Sequence, residues 1–164
     1  MNAYRKINLS IVLIVVASMV FAIYYLEGVL LLDPCPLCMV DRGILVVIAA
    51  VCLIAFIHNS SGKMRWVYTI IAGLFSLFGI GVAARHIWLQ GLPPDQVPEC
   101  GPDLSYMLDV FPLADVIKRI FTGSGQCAEV SWTFLGLTIP QQTLFLFIIL
   151  FGLVLLAHVK SRQF

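Results

Sequence analysis

Four long apolar runs, separated by short polar segments, are the feature that most limits how this chain can fold. A helix that crosses a bilayer needs about 20 such residues. The second run is shorter than this, so its helix is expected to begin near Leu37 and to carry Asp41 and Arg42 in its first turns. The predicted spans are about 7–26, 37–58, 66–86 and 142–159, with outer loops at about 27–37 and 87–142.

The composition agrees with an integral membrane protein. Of the 164 residues, 60% are hydrophobic and only 12% are charged, which is about half of the charge that a soluble domain carries. We therefore predict an all-α membrane protein, a four-helix bundle that forms a single domain over residues 1–164. The first run follows basic residues as a signal peptide does, but it lacks a small-residue cleavage site and is interpreted as a retained helix. A net charge of only +1 gives no basic surface for nucleic acid.

The charged residues divide between the two sides that a four-helix path creates. All nine acidic residues, all eight prolines and four of the five cysteines fall on the side away from the termini. Lysine and arginine in short segments mark the cytoplasmic side, so both termini are predicted to be cytoplasmic. The cysteines then face a compartment in which disulfides persist, such as the bacterial periplasm. The basic residues on the terminal side are Arg5, Lys6, Lys63, Arg65, Lys160 and Arg162.

Cys35 and Cys38 form a Cys-x-x-C pair in the first outer loop, at the expected start of the second span. The N-terminus of a helix favours the thiolate form of a cysteine, so Cys38 is predicted to be reactive. A disulfide across so short a loop removes little entropy from the unfolded chain. Such a pair therefore serves thiol exchange more often than stability.

The remaining cysteines have different settings. Cys100 and Cys127 lie in the second outer loop, and spacing favours a Cys100–Cys127 pair beside a Cys35–Cys38 pair. Pairings that cross-link the two loops, and two purely structural disulfides, stay open as alternatives. A structural Cys₄ zinc site usually takes two close pairs, which this spacing does not give, so no metal site is predicted. Cys52, in the middle of the second span, is interpreted as a core residue.

Two further residues on the outer side suit redox chemistry. Arg42 follows Cys38 by four residues and so lies on the same helical face, where it can stabilise a thiolate or bind the oxygen of an electron acceptor. His86 ends the third span, where an imidazole can exchange protons with a reducible carbonyl. Alternatively, Arg42 extends to the interface or pairs with an acid, and His86 is simply solvated. Glu27 and Arg85 are expected to face headgroups or water.

Two helix-packing features complete the pattern. Gly73, Ser76 and Gly79 on the third span are spaced to let another helix approach closely. In the second outer loop, apolar residues recur at helical spacing after Pro112, opposite a charged face, and predict a short amphipathic helix in the membrane surface. Packing of this helix on the four spans is the alternative. Its apolar residues are Leu113, Val116, Ile117, Ile120 and Phe121.

Taken in order, these motifs resemble the bacterial disulfide bond formation protein B family over nearly the whole chain. The resemblance begins with Pro34-Cys35-x-x-Cys38 and Arg42 and continues through His86-Ile87-Trp88-Leu89-Gln90 and Cys100. It ends with Gly123-Ser124-Gly125-Gln126-Cys127-Ala128-Glu129 and Trp132-Thr133-Phe134-Leu135-Gly136-Leu137. It implies a multi-pass oxidoreductase of the bacterial inner membrane that sustains protein disulfide formation.

The resemblance also implies a working order for the cysteines. A reduced periplasmic thioredoxin-fold dithiol oxidase, DsbA-like, attacks the Cys100–Cys127 disulfide at Cys100. Cys127 then exchanges with Cys35, and Cys38 becomes the thiolate that faces a membrane quinone, either ubiquinone or menaquinone. Arg42 and His86 are the residues that the resemblance assigns to quinone binding.

Two other functions compete with this one. A reductase similar to the vitamin K epoxide reductases also uses a helical bundle with two cysteine pairs, but its active Cys-x-x-C lies late in the chain, unlike Cys35 and Cys38. A structural or transport-accessory membrane protein with inert disulfides is the second alternative. The spans carry few ionisable residues away from their ends, which argues against a transport path.

Overall fold

The computed structural model describes residues 3–59, 62–93, 95–97, 104–122 and 125–161, and these residues are mostly helical. Four of the described helical segments, at 3–29, 36–58, 63–90 and 139–160, are long and apolar enough to cross a membrane. This confirms the predicted all-α, four-helix membrane fold. In chain order the elements are α1 (Ala3–Val20), a π-helical segment (Phe21–Val29), α2 (Pro36–His58), α3 (Lys63–Gln90), α4 (Leu104–Val110), α5 (Leu113–Thr122), α6 (Gly125–Ala128), β1 (Thr133–Phe134), β2 (Leu137–Thr138) and α7 (Ile139–Ser161).

The four long helices form a bundle in which α2 and α7 each contact both α1 and α3. Most of the fully buried side chains at the centre of the bundle are apolar, including Ile11, Ile48, Phe147 and Leu150. Large apolar side chains also cover the outside of the bundle, for example Leu74 on α3. An apolar outer surface over helices that satisfy their own backbone hydrogen bonds is what a lipid environment requires.

Gly79 on α3 marks a close contact between α3 and the Phe147 ring of α7. A Cβ atom at Gly79 would overlap the ring of Phe147, whereas one at Gly73 would lie 3.8 Å from Phe151. Gly73, Ser76 and Gly79 are all buried. The predicted role of these small residues in helix packing is therefore confirmed, and Gly79 is the position where no larger residue fits without movement.

The second outer loop contains the predicted amphipathic helix, which is α5. Val116 is buried and α5 contacts α2, while Leu113 and Ile117 on the same apolar face remain exposed. Val116 of this face is therefore covered, and the exposed Leu113 and Ile117 leave an apolar surface. The location of α5 in the membrane surface stays a prediction.

A short β-hairpin before α7 is a feature that the sequence pattern did not predict. Thr133 pairs with Thr138 and Phe134 with Leu137, in antiparallel register. The two turn residues between them, Leu135 and Gly136, both have positive φ angles, as two-residue hairpins of type I′ require. Two residues per strand are too few to show an alternating pattern.

The contact at Gly79 predicts a stability difference between two glycines on the same helix. Replacing Gly79→Ala is expected to destabilise the bundle by about 1–3 kcal/mol, because the new methyl group overlaps the buried Phe147 ring. Gly81→Ala is the matched control, since a Cβ there meets nothing within 4 Å. Thermal unfolding in detergent measures both variants.

The control variant is expected to be neutral or slightly stabilised, because alanine is a better helix former than glycine. Combining Gly79→Ala with Phe147→Leu should recover part of the loss. Equal unfolding temperatures for the two single variants would contradict the close packing of α3 on α7.

Candidate functional site

The Cys-x-x-C pair lies at the N-terminus of α2. Cys35 is the residue before the helix, in extended conformation, and its sulfur accepts a hydrogen bond from the backbone N–H of Cys38 at 3.4 Å. Pro36 occupies the first turn, where its missing N–H leaves no hydrogen bond unmade. The Sγ atoms of Cys35 and Cys38 lie 3.1 Å apart. The motif therefore both caps α2 and holds two sulfurs within reach of each other.

Two residues from other parts of the chain join Cys35. The Sγ atom of Cys35 lies 3.6 Å from Nε2 of His86, near the end of α3. The Sγ atom of Cys127, on α6, lies within 4.8 Å of both ligand atoms. The exposed fractions of Cys35, His86 and Cys127 are only 8%, 3% and 0%. We call these three residues the thiol–imidazole cluster.

Local packing explains how the cluster forms. The short helix α6 contacts α3, so Cys127 lies against the end of the third span. His86 is on the buried face of α3, and Cys35 is held in place as the cap of α2. Three elements that are distant in sequence therefore place two sulfurs and an imidazole in one buried position.

The environment of Cys35 favours its neutral form. A hydrogen bond from Cys127 favours the Cys35 thiolate, but the hydrogen bond with Cys38 and burial outweigh it and raise the pKa of Cys35 to about 12. At neutral pH Cys35 is therefore protonated whenever it is not in a disulfide. A protonated thiol is a poor nucleophile, so Cys35 is better suited to be attacked in a disulfide than to attack.

A cavity of about 480 Å³ lies next to the cluster. This volume is within the range of about 300–1,000 Å³ that is usual for small-molecule sites. The cavity is bounded by the end of α1, the π-helical segment with the residues that link it to α2, and the adjoining ends of α2, α3 and α7. Gln126, Glu129 and Ser131 complete its wall. Its polar lining includes Cys35, Cys38, Asp41, Arg42 and His86, and its apolar lining includes Ala17, Phe21, Leu26, Leu45 and Leu146.

Arg42 lines this cavity and forms an ion pair with Glu27. Its Nη1 donates a hydrogen bond to Oε1 of Glu27, and the two side chains are 19% and 27% exposed. The expectation that Glu27 faces headgroups or water is therefore wrong, because Glu27 pairs with a residue of α2 and lines the cavity. A guanidinium group has five N–H donors, so an ion pair through Nη1 leaves donors that can reach a ligand in the cavity. Arg85 instead stacks over the ring of Trp88, with 4.1 Å from its guanidinium carbon to the ring centroid.

Asp41 is the site residue whose importance the sequence did not reveal. It is only 4% exposed and lines the cavity. Its Oδ1 atom and Nδ1 of His86 have no hydrogen-bond partner among the described residues. Burying such groups without partners is costly, which makes both atoms candidates to contact a ligand. The signal in the sequence that could have identified Asp41 is its position as an acidic residue beside an apolar run.

Five of the six predicted site residues lie together, at the cavity or in the adjoining thiol–imidazole cluster. Cys35, Cys38, Arg42 and His86 line the cavity, and Cys127 joins them through the cluster. The sixth, Cys100, lies outside the described residues. Cys52 is buried in the bundle core, in agreement with its interpretation as a packing residue.

The fold and the site together define a class, that of helical membrane proteins with thiols gathered beside a ligand-sized cavity. A family model described as disulfide bond formation protein DsbB matches residues 4–157. The chain therefore belongs to the DsbB family, as the resemblance predicted.

Individual relatives also support membership of the DsbB family. The chain is 46% identical over 149 residues to disulfide bond formation protein B of Acinetobacter baumannii, covering 90% of this chain and 86% of the relative. It is 49% identical over 131 residues to the protein of that name from Saccharophagus degradans, covering 80% and 79%. It is 43% identical over 163 residues to the one from Psychrobacter cryohalolentis, covering 96% and 88%.

The raised pKa of Cys35 predicts an unusual alkylation profile in the reduced protein. The rate of Cys35 alkylation by iodoacetamide should keep rising with pH well beyond about 8.5, which is the midpoint for an ordinary thiol. Burial lowers this rate at every pH, whereas the pKa sets its midpoint, so the midpoint is the informative quantity. Peptide mass spectrometry in detergent, in a Cys52→Ser background, measures it. A midpoint near that of glutathione would contradict the assigned environment.

Proposed function

We propose that this protein oxidises the dithiol of a soluble thioredoxin-fold partner, DsbA-like, and passes the electrons to a membrane quinone. Membership of the DsbB family supports the role in disulfide formation. The single observation that carries the finer proposal is the contact of Cys127 with Cys35 beside a cavity that Cys38 also lines. The proposal places the chain in the bacterial inner membrane, with both termini cytoplasmic and the cysteine pairs periplasmic, since its charge distribution follows that orientation.

The cluster supports one direction of thiol exchange. When Cys35 and Cys38 share a disulfide, a thiolate at Cys127 can attack Cys35, form a Cys35–Cys127 bond and release Cys38 as a thiolate. The roles match the environments: Cys35 is held neutral and buried, while Cys38 lies in the first turn of α2, where the helix N-terminus stabilises negative charge. In an earlier step, the dithiol of the partner attacks the Cys100–Cys127 disulfide at Cys100 and releases Cys127.

The cavity residues fit a quinone. An apolar wall suits a hydrophobic ring, and the Arg42 donors, with the two unpartnered atoms of Asp41 and His86, can meet carbonyl oxygens or their protons. When bound, a quinone supplies an acceptor for two electrons and two protons. Arg42 and His86 hold it by hydrogen bonds in this proposal, and the membrane pool of ubiquinone or menaquinone provides it.

The cysteines are tested by dithiol-dependent quinone reduction in detergent. Cys35→Ser, Cys38→Ser, Cys100→Ser and Cys127→Ser should each abolish turnover, because each removes one sulfur of the relay. Cys52→Ser should retain nearly full activity, since Cys52 is a buried packing residue outside the cavity. Turnover in the Cys127→Ser variant, or its loss in Cys52→Ser, would contradict the proposed relay.

Arg42 is tested by separating binding from turnover. Arg42→Met should raise the KM for quinone by about 10- to 100-fold, the effect of losing a hydrogen bond from a charged donor, with a smaller change in kcat. Arg85→Met is the matched control, because Arg85 stacks on Trp88 and does not line the cavity. An unchanged KM in Arg42→Met, or an equal rise in both variants, would contradict the role of Arg42.

A further inference from the structure

The thiol–imidazole cluster has the geometry of a metal site. In a tetrahedral zinc site, Zn–S distances of about 2.3 Å and Zn–N distances of about 2.0–2.1 Å separate neighbouring ligand atoms by roughly 3.5–3.8 Å. The sulfur of Cys35 and Nε2 of His86 are 3.6 Å apart, and all three ligand atoms lie within 4.8 Å of one another. Cys38 is not one of these three residues, but its sulfur lies 3.1 Å from that of Cys35, so we take it as the fourth ligand, with its side chain rotated toward the ion.

The chemistry of these ligands selects the class of metal. Three thiolates and one imidazole form the Cys₃His set of closed structural zinc sites. Such soft ligands favour zinc and other thiophilic cations over magnesium or calcium, which prefer oxygen. Burial of Cys35, His86 and Cys127 limits competition from water at the ion.

We infer that the reduced protein binds one thiophilic divalent cation, Zn²⁺ being the best fit, through Cys35, Cys38, His86 and Cys127. Binding releases three protons from the three thiols and transfers no electrons. The same sulfurs form the disulfides of the relay, so metal binding and disulfide formation exclude each other. The cation is therefore an inhibitor that holds the site reduced, rather than a resident cofactor.

This site differs from the Cys₄ arrangement that the sequence spacing argued against. His86, from α3, occupies the position that a fourth cysteine would fill. Metal binding stands on the geometry of the cluster alone. Its inhibitory effect also rests on the proposed function, because only a working relay can be stopped in this way.

Binding is measured on the full-length chain in detergent, reduced by a phosphine that is then removed. Zn²⁺ competition against a chromophoric chelator should give one ion per reduced chain and none for the chain with the disulfides formed. Cys35→Ser, Cys127→Ser and His86→Ala should each weaken binding at least about tenfold. Cys52→Ser and Cys100→Ser are the controls and should bind as the parent chain does.

Co²⁺ provides a second readout that does not depend on the folding of any variant. In the reduced parent chain it should give the intense visible absorption of tetrahedral cobalt with thiolate ligands. A weak octahedral spectrum would overturn the inference. So would equal zinc binding by the oxidised chain, or loss of binding in Cys100→Ser with retention in His86→Ala.

Inhibition is measured without the soluble partner. The reduced chain is loaded with Zn²⁺, excess metal is removed, and quinone is added to reoxidise the cysteines. Reoxidation should be at least tenfold slower than for the metal-free chain, and a chelator should restore it. Failure of the metal-free chain to reduce quinone would contradict the proposed function but not metal binding, whereas normal reoxidation of a loaded chain would contradict inhibition.

Discussion

The need to satisfy the first backbone N–H groups of α2 decides how this site is built. The first N–H groups of a helix have no partner within the helix. Where such a helix end is buried away from water, a side chain must accept these hydrogen bonds instead. Here the sulfur of Cys35 accepts the N–H of Cys38, and Pro36 removes one donor altogether. The residue that caps the helix is thus also the residue that contacts His86 and Cys127, so the chemistry depends on where α2 begins.

The other helices place further site residues next to Cys35. Gly79 lets α3 and α7 pack closely around the Phe147 ring, and α3 carries His86 to the end of the bundle where Cys35 lies. The π-helical segment continues α1 and contributes Phe21, Leu26 and Glu27 to the cavity. π-Helical segments often occur at functional sites. In this chain the segment carries Glu27, whose ion pair with Arg42 fixes the orientation of a side chain proposed to bind quinone.

Much of the fold followed from the sequence because it depends on simple physical patterns. Apolar length predicted four membrane helices, and the length that a span needs placed the start of α2 near Leu37, one residue after its observed start at Pro36. Leu113 and its apolar neighbours predicted α5 by their helical spacing. These features need only local information.

The site could be predicted only in part. The motifs identified Cys35, Cys38, Cys127, Arg42 and His86, but not which atoms meet, because the contacts join elements that are distant in sequence. Pairing of Arg42 with an acid was an open alternative, but Glu27 as its partner could not be foreseen, since a π-helix alters the 3.6-residue period used to assign faces. Asp41 carried no sign of its burial beyond being an acid beside an apolar run.

The most direct test of this account concerns the bond between Cys35 and Cys127. In a Cys38→Ser/Cys100→Ser double variant, only Cys35, Cys52 and Cys127 remain, and mild oxidation followed by non-reducing peptide mapping reports how they pair. The proposed relay predicts a Cys35–Cys127 disulfide in nearly every chain, with Cys52 left as a thiol, because the two cluster sulfurs are already in contact. A disulfide that includes Cys52, or Cys35 and Cys127 that stay unbonded, would contradict it.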